Sequence, residues 1–105
     1  VDVACLYDGF SYNRLAWSEA LGFCEVGGGG DFIDGGTRLQ AGGDFVLNPH
    51  GGQLSAGRLH GYGFFHEAIL QLRGRAGARQ VEGASTAVVT TGGGHPGGAV
   101  LLVKG

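Results

Sequence analysis

A glycine-rich stretch over residues 48–61 separates a short apolar run, residues 45–47, from the longest helical pattern in the chain. It constrains the fold because such a turn between a strand and a helix brings the backbone close to a ligand and directs helix N–H groups at negative charge. His50 and His60 lie in this stretch, and an imidazole can exchange protons near neutral pH. On spacing alone, the favoured interpretation is a tight turn whose histidines hydrogen-bond buried carbonyl groups. The alternative is a site of proton transfer.

Glycine accounts for 24 of the 105 residues, and the glycines separate apolar runs. Hydrophobic residues make up 43% of the chain, so it can bury a core of its own. The glycine spacing therefore indicates turns between short elements and not disorder. A chain of this length forms one domain at most.

The first elements are a strand and a helix. Residues 1–7 are largely apolar and rich in strand formers, which predicts a buried strand. Asp8 is then a candidate N-cap for a helix over residues 10–21 that ends at Gly22. Trp17 on this helix is interpreted as a core residue and not as a platform for a ligand.

A second helix follows the central stretch. Apolar residues recur there every three or four positions, which predicts one buried helical face. The residues of this row are Leu59, Tyr62, Phe65, Ile69 and Leu72. The pattern also predicts a helix end near Gly74 or Gly77, and a partly buried His66 with a local partner.

Two strands, over residues 84–91 and 98–103, are predicted to pair at the end of the chain. The loop between them contains Gly92, Gly93 and Gly94, and consecutive glycines can turn several N–H groups toward one anionic oxygen. The alternative is a flexible hairpin loop. His95 in the same loop gains a role only if it meets the central stretch in space.

Residues 25–44 are rich in glycine and in acidic side chains, which predicts a long loop. Loops of this length inside a domain usually act as lids or mobile segments. Phosphate binding is disfavoured there because the loop is acidic and lacks a P-loop lysine.

The net charge of −2 argues against a nucleic-acid or anionic-membrane surface. Arg73, Arg75 and Arg79 are interpreted as a solvated helix end, with nucleotide phosphates as the alternative ligand. Cys5 and Cys24 lack metal-binding spacing, so we expect reduced thiols and no metal or redox cofactor. With no signal peptide and no long apolar run, we expect a cytoplasmic protein without a membrane span. The chain contains no methionine, and we expect it to be part of a longer protein.

Three motifs in order carry a family resemblance: Tyr7-Asp8-Gly9-Phe10, then Asn48-Pro49-His50-Gly51-Gly52 with Ser55-Ala56-Gly57, then Gly92-Gly93-Gly94. Together they resemble, from end to end, the final half-domain of the thiolase superfamily, and within it the sterol carrier protein and lipid-transfer thiolase-like branch. The resemblance implies an α/β fold in which residues 1–105 form a thiolase-like layered half-domain. With the elements above, we expect a mixed sheet of about four strands packed by two main helices.

The resemblance also implies a function. It indicates the C-terminal part of a thiolase-like lipid-transfer protein, similar to acetyl-CoA acetyltransferases, that handles acyl-coenzyme A thioesters as substrates. The implied partners are the missing N-terminal half, which in thiolases carries the acyl-accepting cysteine, and a second copy in a homodimer. The branch includes proteins that look like retro-aldolases of steroid side-chain thioesters and work with an OB-fold partner.

Departures from the family pattern shape the chemistry to expect. Tyr7 stands where thiolases have Asn, or His in the sterol carrier branch, and Arg58 stands where they have a catalytic histidine. The second thiolase cysteine falls near Thr90, which argues against ordinary thiolysis or Claisen condensation. Retro-aldol cleavage needs a base and enolate stabilisation but no cysteine.

On this interpretation the catalytic candidates are Tyr7, His50, His60 and His95, and the substrate-binding candidates are Gly51, Gly52, Gly92, Gly93 and Gly94. Tyr7 or His50 is the expected base or proton donor. His60 and the N–H groups of the glycine loop are expected to stabilise an enolate oxygen. The alternative function is a non-catalytic acyl-CoA or lipid-binding module, or a dimer-assembly module. An isolated half-domain is expected to have no function by itself and to self-associate.

Overall fold

A mixed four-stranded sheet forms the middle layer of the computed structural model, which describes all residues 1–105. The strands are β1 (Val3–Cys5), β2 (Val46–Leu47), β3 (Thr86–Thr91) and β4 (Gly98–Val103), in the spatial order β2-β1-β3-β4. β1 is parallel to both β2 and β3, whereas β4 is antiparallel to β3. The predicted four-stranded mixed sheet and the predicted pairing of the last two strands are confirmed.

Four α-helices accompany the sheet: α1 (Ser11–Ala20), α2 (Gly29–Ile33), α3 (Gly52–Ala56) and α4 (Tyr62–Leu72). Short 3₁₀ turns occur at Thr37–Leu39 and Gly77–Arg79. α1 and α4 are the two main helices, as predicted. No helix is both long enough and apolar enough to cross a membrane.

Alternation along the strands divides the core into two layers. On one face of the sheet, Val3, Cys5 and Val89 pack with Phe64 and Ala68 of α4. On the other face, a second cluster lies toward α1 and α2 and contains Ala4, Leu6, Phe32, Phe45 and Val88. The central strands β1 and β3 are therefore covered on both faces, whereas the edge strand β4 is largely exposed.

The buried face of α4 is not the predicted one. Phe64, Glu67, Ala68, Gln71 and Leu72 are buried. Of the predicted row, only Leu72 is buried and Phe65 is half-buried, whereas Leu59, Tyr62 and Ile69 are exposed by 60%, 77% and 40%. Both rows repeat every three or four residues, so periodicity alone could not separate them. His66 is exposed and not partly buried as predicted.

The polar residues on this face are buried because their hydrogen bonds are satisfied. The Gln71 side chain donates to Glu67 Oε1 (2.9 Å) and to the Arg79 carbonyl (2.8 Å), and its own Oε1 accepts from the Val81 amide (2.8 Å). Arg79 pairs with the buried Glu67 at 2.9 Å. This corrects the prediction that Arg79 belongs to a solvated helix end. Burial would raise the pKa of Glu67, but hydrogen bonds from Arg79 and Gln71 outweigh it and hold that pKa below its ordinary value.

Residues 25–44 are not one long loop. They contain α2 and a 3₁₀ turn, and Phe32 of α2 is 4% exposed and stacks on Phe45 at 6.1 Å. Arg38 lies over the Phe32 ring at 4.5 Å and pairs with Asp44 at 2.7 Å. The prediction of a loop was wrong because Phe32, the one aromatic residue between positions 25 and 44, packs on Phe45 and holds the segment against the core.

Candidate active site

The carboxyl ends of β1, β2 and β3 meet at one edge of the sheet, because these three strands are parallel. An open groove of about 540 Å³ lies there. Its lining residues are Tyr7, Arg58, His60, Thr91, Gly92, Pro96, Gly97 and Gly98. Such an edge is where α/β folds commonly bind ligands, and this groove is therefore the candidate active site.

Tyr7 reaches the groove as the second residue after β1. Its backbone N–H donates to the Thr90 hydroxyl (2.8 Å), and its ring lies 6.3 Å from that of Phe64. The phenol end lies against Gly9, where any Cβ would collide with the Tyr7 hydroxyl. These contacts position the phenol at the groove wall.

The segment over residues 57–61 forms a wall with two sides. Arg58 and His60 line the groove. On the other side, Gly57, Leu59 and Gly61 line a small cavity of about 30 Å³, together with His50, Gln53 and other residues. The segment therefore separates the groove, which Arg58 and His60 line, from the small cavity, which Leu59 lines.

His50 faces this small cavity and not the groove. It is half-buried, its ring meets Phe64 edge-on at 5.5 Å, and its Nδ1 has no hydrogen-bond partner. Burial lowers the pKa of His50, and the carboxylates of Glu67 and Asp8 offset this only in part. His50 therefore does not line the groove with Tyr7 and His60.

Asp8 holds the turn that leads into α3. It is fully buried, and its Oδ1 accepts a hydrogen bond from the Gln53 amide at 2.9 Å. A side chain at Gly52, whose φ is +68°, would collide with Asp8 Oδ2. The prediction that Asp8 is the N-cap of α1 is therefore wrong. Instead, Asn13 Oδ1 accepts from the Phe10 amide at the start of that helix (2.9 Å).

The same contact changes the prediction for the glycine-rich turn. The turn was expected to direct helix N–H groups at a ligand, but the backbone N–H of Gln53 donates its hydrogen bond to Asp8 instead. Gly51 is exposed, Gly52 is buried against Asp8, and neither lines the groove. Asn48 shapes this turn: its side chain accepts from the Leu6 amide (2.7 Å) and donates to the Leu6 carbonyl (2.9 Å).

The loop after β3 contributes Gly92 to the groove, but Gly93 and Gly94 lie outside its lining. The Gly92 carbonyl accepts from Trp17 Nε1 (2.8 Å), which ties the loop to α1. The Gly93 carbonyl accepts from Asn13 Nδ2 (3.3 Å). His95 is exposed and does not line the groove. Of the four catalytic candidates, the groove therefore brings together Tyr7 and His60.

Neither cysteine lines the groove. Cys5 is buried in β1, and burial together with the nearby Glu67 carboxylate raises the pKa of its thiol to about 12. Burial and the Glu19 carboxylate raise the pKa of Cys24 as well. Neither thiol is activated as a nucleophile. No three side chains of His, Cys, Asp or Glu gather closely enough to hold a metal ion.

Two groove residues were not assigned a role from the sequence. Arg58 was noted only as a replacement for a family histidine, and Thr91 was assigned to a strand. The usable signal was the place of Thr91 at the carboxyl end of a strand. Arg58 lies in an irregular segment, with φ of +49° at His60, so no spacing rule indicated it.

Comparison with known proteins agrees with this architecture. The family described as Thiolase C-terminal domain-like matches residues 1–104. Sterol carrier protein 2 of Rattus norvegicus is 46% identical over 91 residues, which cover 84% of this chain and 16% of that protein. The 17-hydroxy-3-oxo-4-pregnene-20-carboxyl-CoA lyase of Mycobacterium tuberculosis is 39% identical over 97% of this chain and 26% of that protein.

A solved structure described as an Ltp2-ChsH2(DUF35) aldolase superposes with a TM-score of 0.86 at 37% identity. It covers 99% of this chain, which in turn covers 27% of that chain. The chain therefore spans about a sixth to a quarter of the length of the relatives that it matches. These relatives confirm the predicted likeness to the thiolase-like lipid-transfer branch, and the chain belongs to the thiolase C-terminal domain-like family.

Proposed function

We propose that this chain supplies one wall of the active site of a longer, thiolase-like cytoplasmic enzyme that breaks or forms a carbon–carbon bond beside a coenzyme A thioester. The observation that supports this most directly is that Tyr7 and His60, from distant parts of the sequence, line one groove at the carboxyl ends of parallel strands. The names of the relatives include a lyase, an acetyltransferase and an aldolase.

Retro-aldol cleavage assigns a task to each of these side chains. Tyr7, acting as its phenolate, takes the proton from a β-hydroxyl group of the substrate, and the bond between the α- and β-carbons breaks as the β-carbon becomes a carbonyl. The electron pair of that bond moves into the thioester and forms an enolate. His60 donates a hydrogen bond to the enolate oxygen. The proton held by Tyr7 then returns to the α-carbon.

The state of the cysteines supports this reaction over thiolysis. The acyl-accepting thiol of a thiolase would come from another part of the protein, but a second thiol is needed from this half for proton transfer. Cys5 is buried with a raised pKa and neither cysteine lines the groove. Aldol chemistry needs only proton transfer and enolate stabilisation. On this proposal, the rest of the protein selects the acyl group, whether steroid or fatty acyl.

The decisive experiment replaces Tyr7 by Phe in the full-length protein, with 3-hydroxyacyl-CoA thioesters, including steroid side-chain thioesters, as substrates. We expect kcat to fall about 100-fold with little change in KM, because the variant lacks the proton acceptor. Tyr12→Phe is the matched control, since Tyr12 is 71% exposed on α1 and outside the groove. Equal turnover in Tyr7→Phe and the unmodified protein would refute the assignment.

The second candidate is a non-catalytic acyl-CoA or lipid-binding module, or an assembly module. Val100, Leu101 and Val103 of the edge strand β4 are 43%, 59% and 66% exposed, which favours packing against another part of the protein, a second copy or an OB-fold partner. Tight binding of acyl-CoA by the full-length protein with no turnover, alone and with its co-purified partner, would support this candidate over the enzyme.

A further inference from the structure

Arg58 is the only permanent cation that lines the groove, and no acidic residue lines it. The two salt bridges of the structure, Arg38–Asp44 and Arg79–Glu67, do not involve Arg58. Its side chain forms no hydrogen bond with another residue. The five N–H donors of its guanidinium are therefore free for a ligand.

The backbone on either side directs Arg58 into the groove. Gly57 and Gly61 have φ values of +93° and +92°, conformations that glycine adopts readily. Gly61 lies against Thr91 so closely that a side chain there would collide with it. The segment is thus held against the end of β3, with Arg58 and His60 on the groove side and Leu59 on the other.

We propose that Arg58 is a catalytic residue that binds the negatively charged oxygen of a thioester enolate in this groove. The inference rests on the proposed function and adds a permanent positive charge to the groove. A guanidinium stays protonated at any pH at which enzymes work, and it forms charge-assisted hydrogen bonds with anionic oxygen.

This contact is worth more in the transition state than in the substrate. The thioester carbonyl oxygen is neutral in the substrate and carries the negative charge once the carbon–carbon bond breaks. A fixed cation therefore stabilises the enolate more than the substrate, which accelerates the reaction and does not merely tighten binding.

Two coenzyme A derivatives test the inference without any turnover. S-carboxymethyl-CoA places a carboxylate near the position of the enolate oxygen, and S-carbamoylmethyl-CoA has the same shape with a neutral amide. Both carry the same phosphates. Binding of each is measured calorimetrically to the full-length protein and to its Arg58→Gln, Arg58→Lys and Arg73→Gln variants. Arg73 is exposed and lies outside this groove, so it serves as the control.

We expect the unmodified protein and Arg73→Gln to bind the carboxylate about tenfold more tightly than the amide. Arg58→Gln should lose this preference, and Arg58→Lys should keep part of it. Unchanged binding of the amide shows that each variant is folded. The preference should persist at about pH 8.5, where a histidine cation would have lost its charge.

Three results would overturn the inference. The unmodified protein would show no preference, or Arg58→Gln would keep the preference, or Arg58→Gln would weaken both compounds equally, which would place Arg58 at the phosphates. Cleavage of 3-hydroxyacyl-CoA without the carboxylate preference would overturn this inference alone. A preference for the carboxylate without any cleavage would support an anion site at Arg58 and refute the carbon–carbon bond chemistry.

Discussion

The two ends of the parallel strands β1 and β3 differ in how they use their polar groups. At the amino end, the Asp2 carboxylate accepts hydrogen bonds from the amides and hydroxyls of Ser85 and Thr86, at 2.9 to 3.0 Å. Nearby, Gln71 and Glu67 are satisfied by Arg79 and the backbone that leads to β3. At the carboxyl end, an arginine, a histidine and a tyrosine line an open groove.

Both ends contain charged and titratable residues, so composition alone does not distinguish them. What differs is whether their hydrogen bonds are already made. A closed network stabilises the fold, whereas donors that remain free beside a groove are available to a ligand. We call these the tied end and the groove end.

The largest expected effect concerns Gly52, beneath the groove end. In Gly52→Ala, the new methyl group would collide with the buried Asp8 carboxylate and also require φ near +68°. We expect a loss of about 3–4 kcal/mol in the free energy of unfolding. Gly74→Ala is the matched control at the tied end, since Gly74 has φ of +67° and open space around it. It should lose only about 1–2 kcal/mol.

Chemical denaturation of the full-length protein measures both values. Equal losses in the two variants would show that a collision with Asp8 adds nothing to the cost of the unfavourable φ at Gly52. The groove end would then lack the rigid support that its buried aspartate implies.

The second prediction separates stability from activity. Gln71→Leu leaves the Val81 amide and the Arg79 carbonyl without their partners, because Gln71 is 1% exposed and reaches both. We expect the free energy of unfolding to fall by about 2–3 kcal/mol, while kcat per folded molecule stays unchanged. Exposed Gln40→Leu serves as the control in the same assays. A fall in kcat with unchanged stability would contradict the division between the two ends.

The smallest effect depends on pH. Hydrogen bonds from Ser85 and Thr86 hold the pKa of Asp2 well below its ordinary value. A lowered pKa in the folded state adds stability above the ordinary aspartate pKa of about 4, and that stability is lost as the pH falls further. Asp2→Asn should therefore lower the free energy of unfolding by about 1–2 kcal/mol at neutral pH, and by progressively less below about pH 4.

Urea unfolding across this pH range measures the difference, and Asp34→Asn, at an exposed position without these bonds, should show almost none. A difference for Asp2→Asn that stays constant down to about pH 2 would mean that the ionised carboxylate is not what ties the strands.

Local patterns in the sequence were enough to predict the main elements. α1 and the pair β3–β4 follow from apolar periodicity and glycine boundaries, since both depend on residues close in sequence. The ordered motifs were enough to predict the thiolase-like family. They also drew attention to Tyr7, and the glycine-rich stretch over residues 48–61 drew attention to His60; the two share the groove.

Burial of polar residues could not be predicted in the same way. Glu67 and Gln71 occupy the inner face of α4 only because Arg79 and Val81 lie beside them in space. Sequence periodicity favours the apolar row instead, and that row is mostly exposed. A polar side chain is buried at little cost only when its partners are present, and partners are a property of the folded chain.

The sequence by itself determined the two main helices, the mixed sheet and the family, because periodicity, glycine positions and motif order are written along the chain. Only the tertiary structure decided that Asp8 holds the Gln53 amide, that His50 faces a separate cavity, and that Arg58 joins Tyr7 and His60. These outcomes depend on contacts between residues distant in sequence and on which side of an irregular segment each residue faces. Neither has a repeating signature in the sequence.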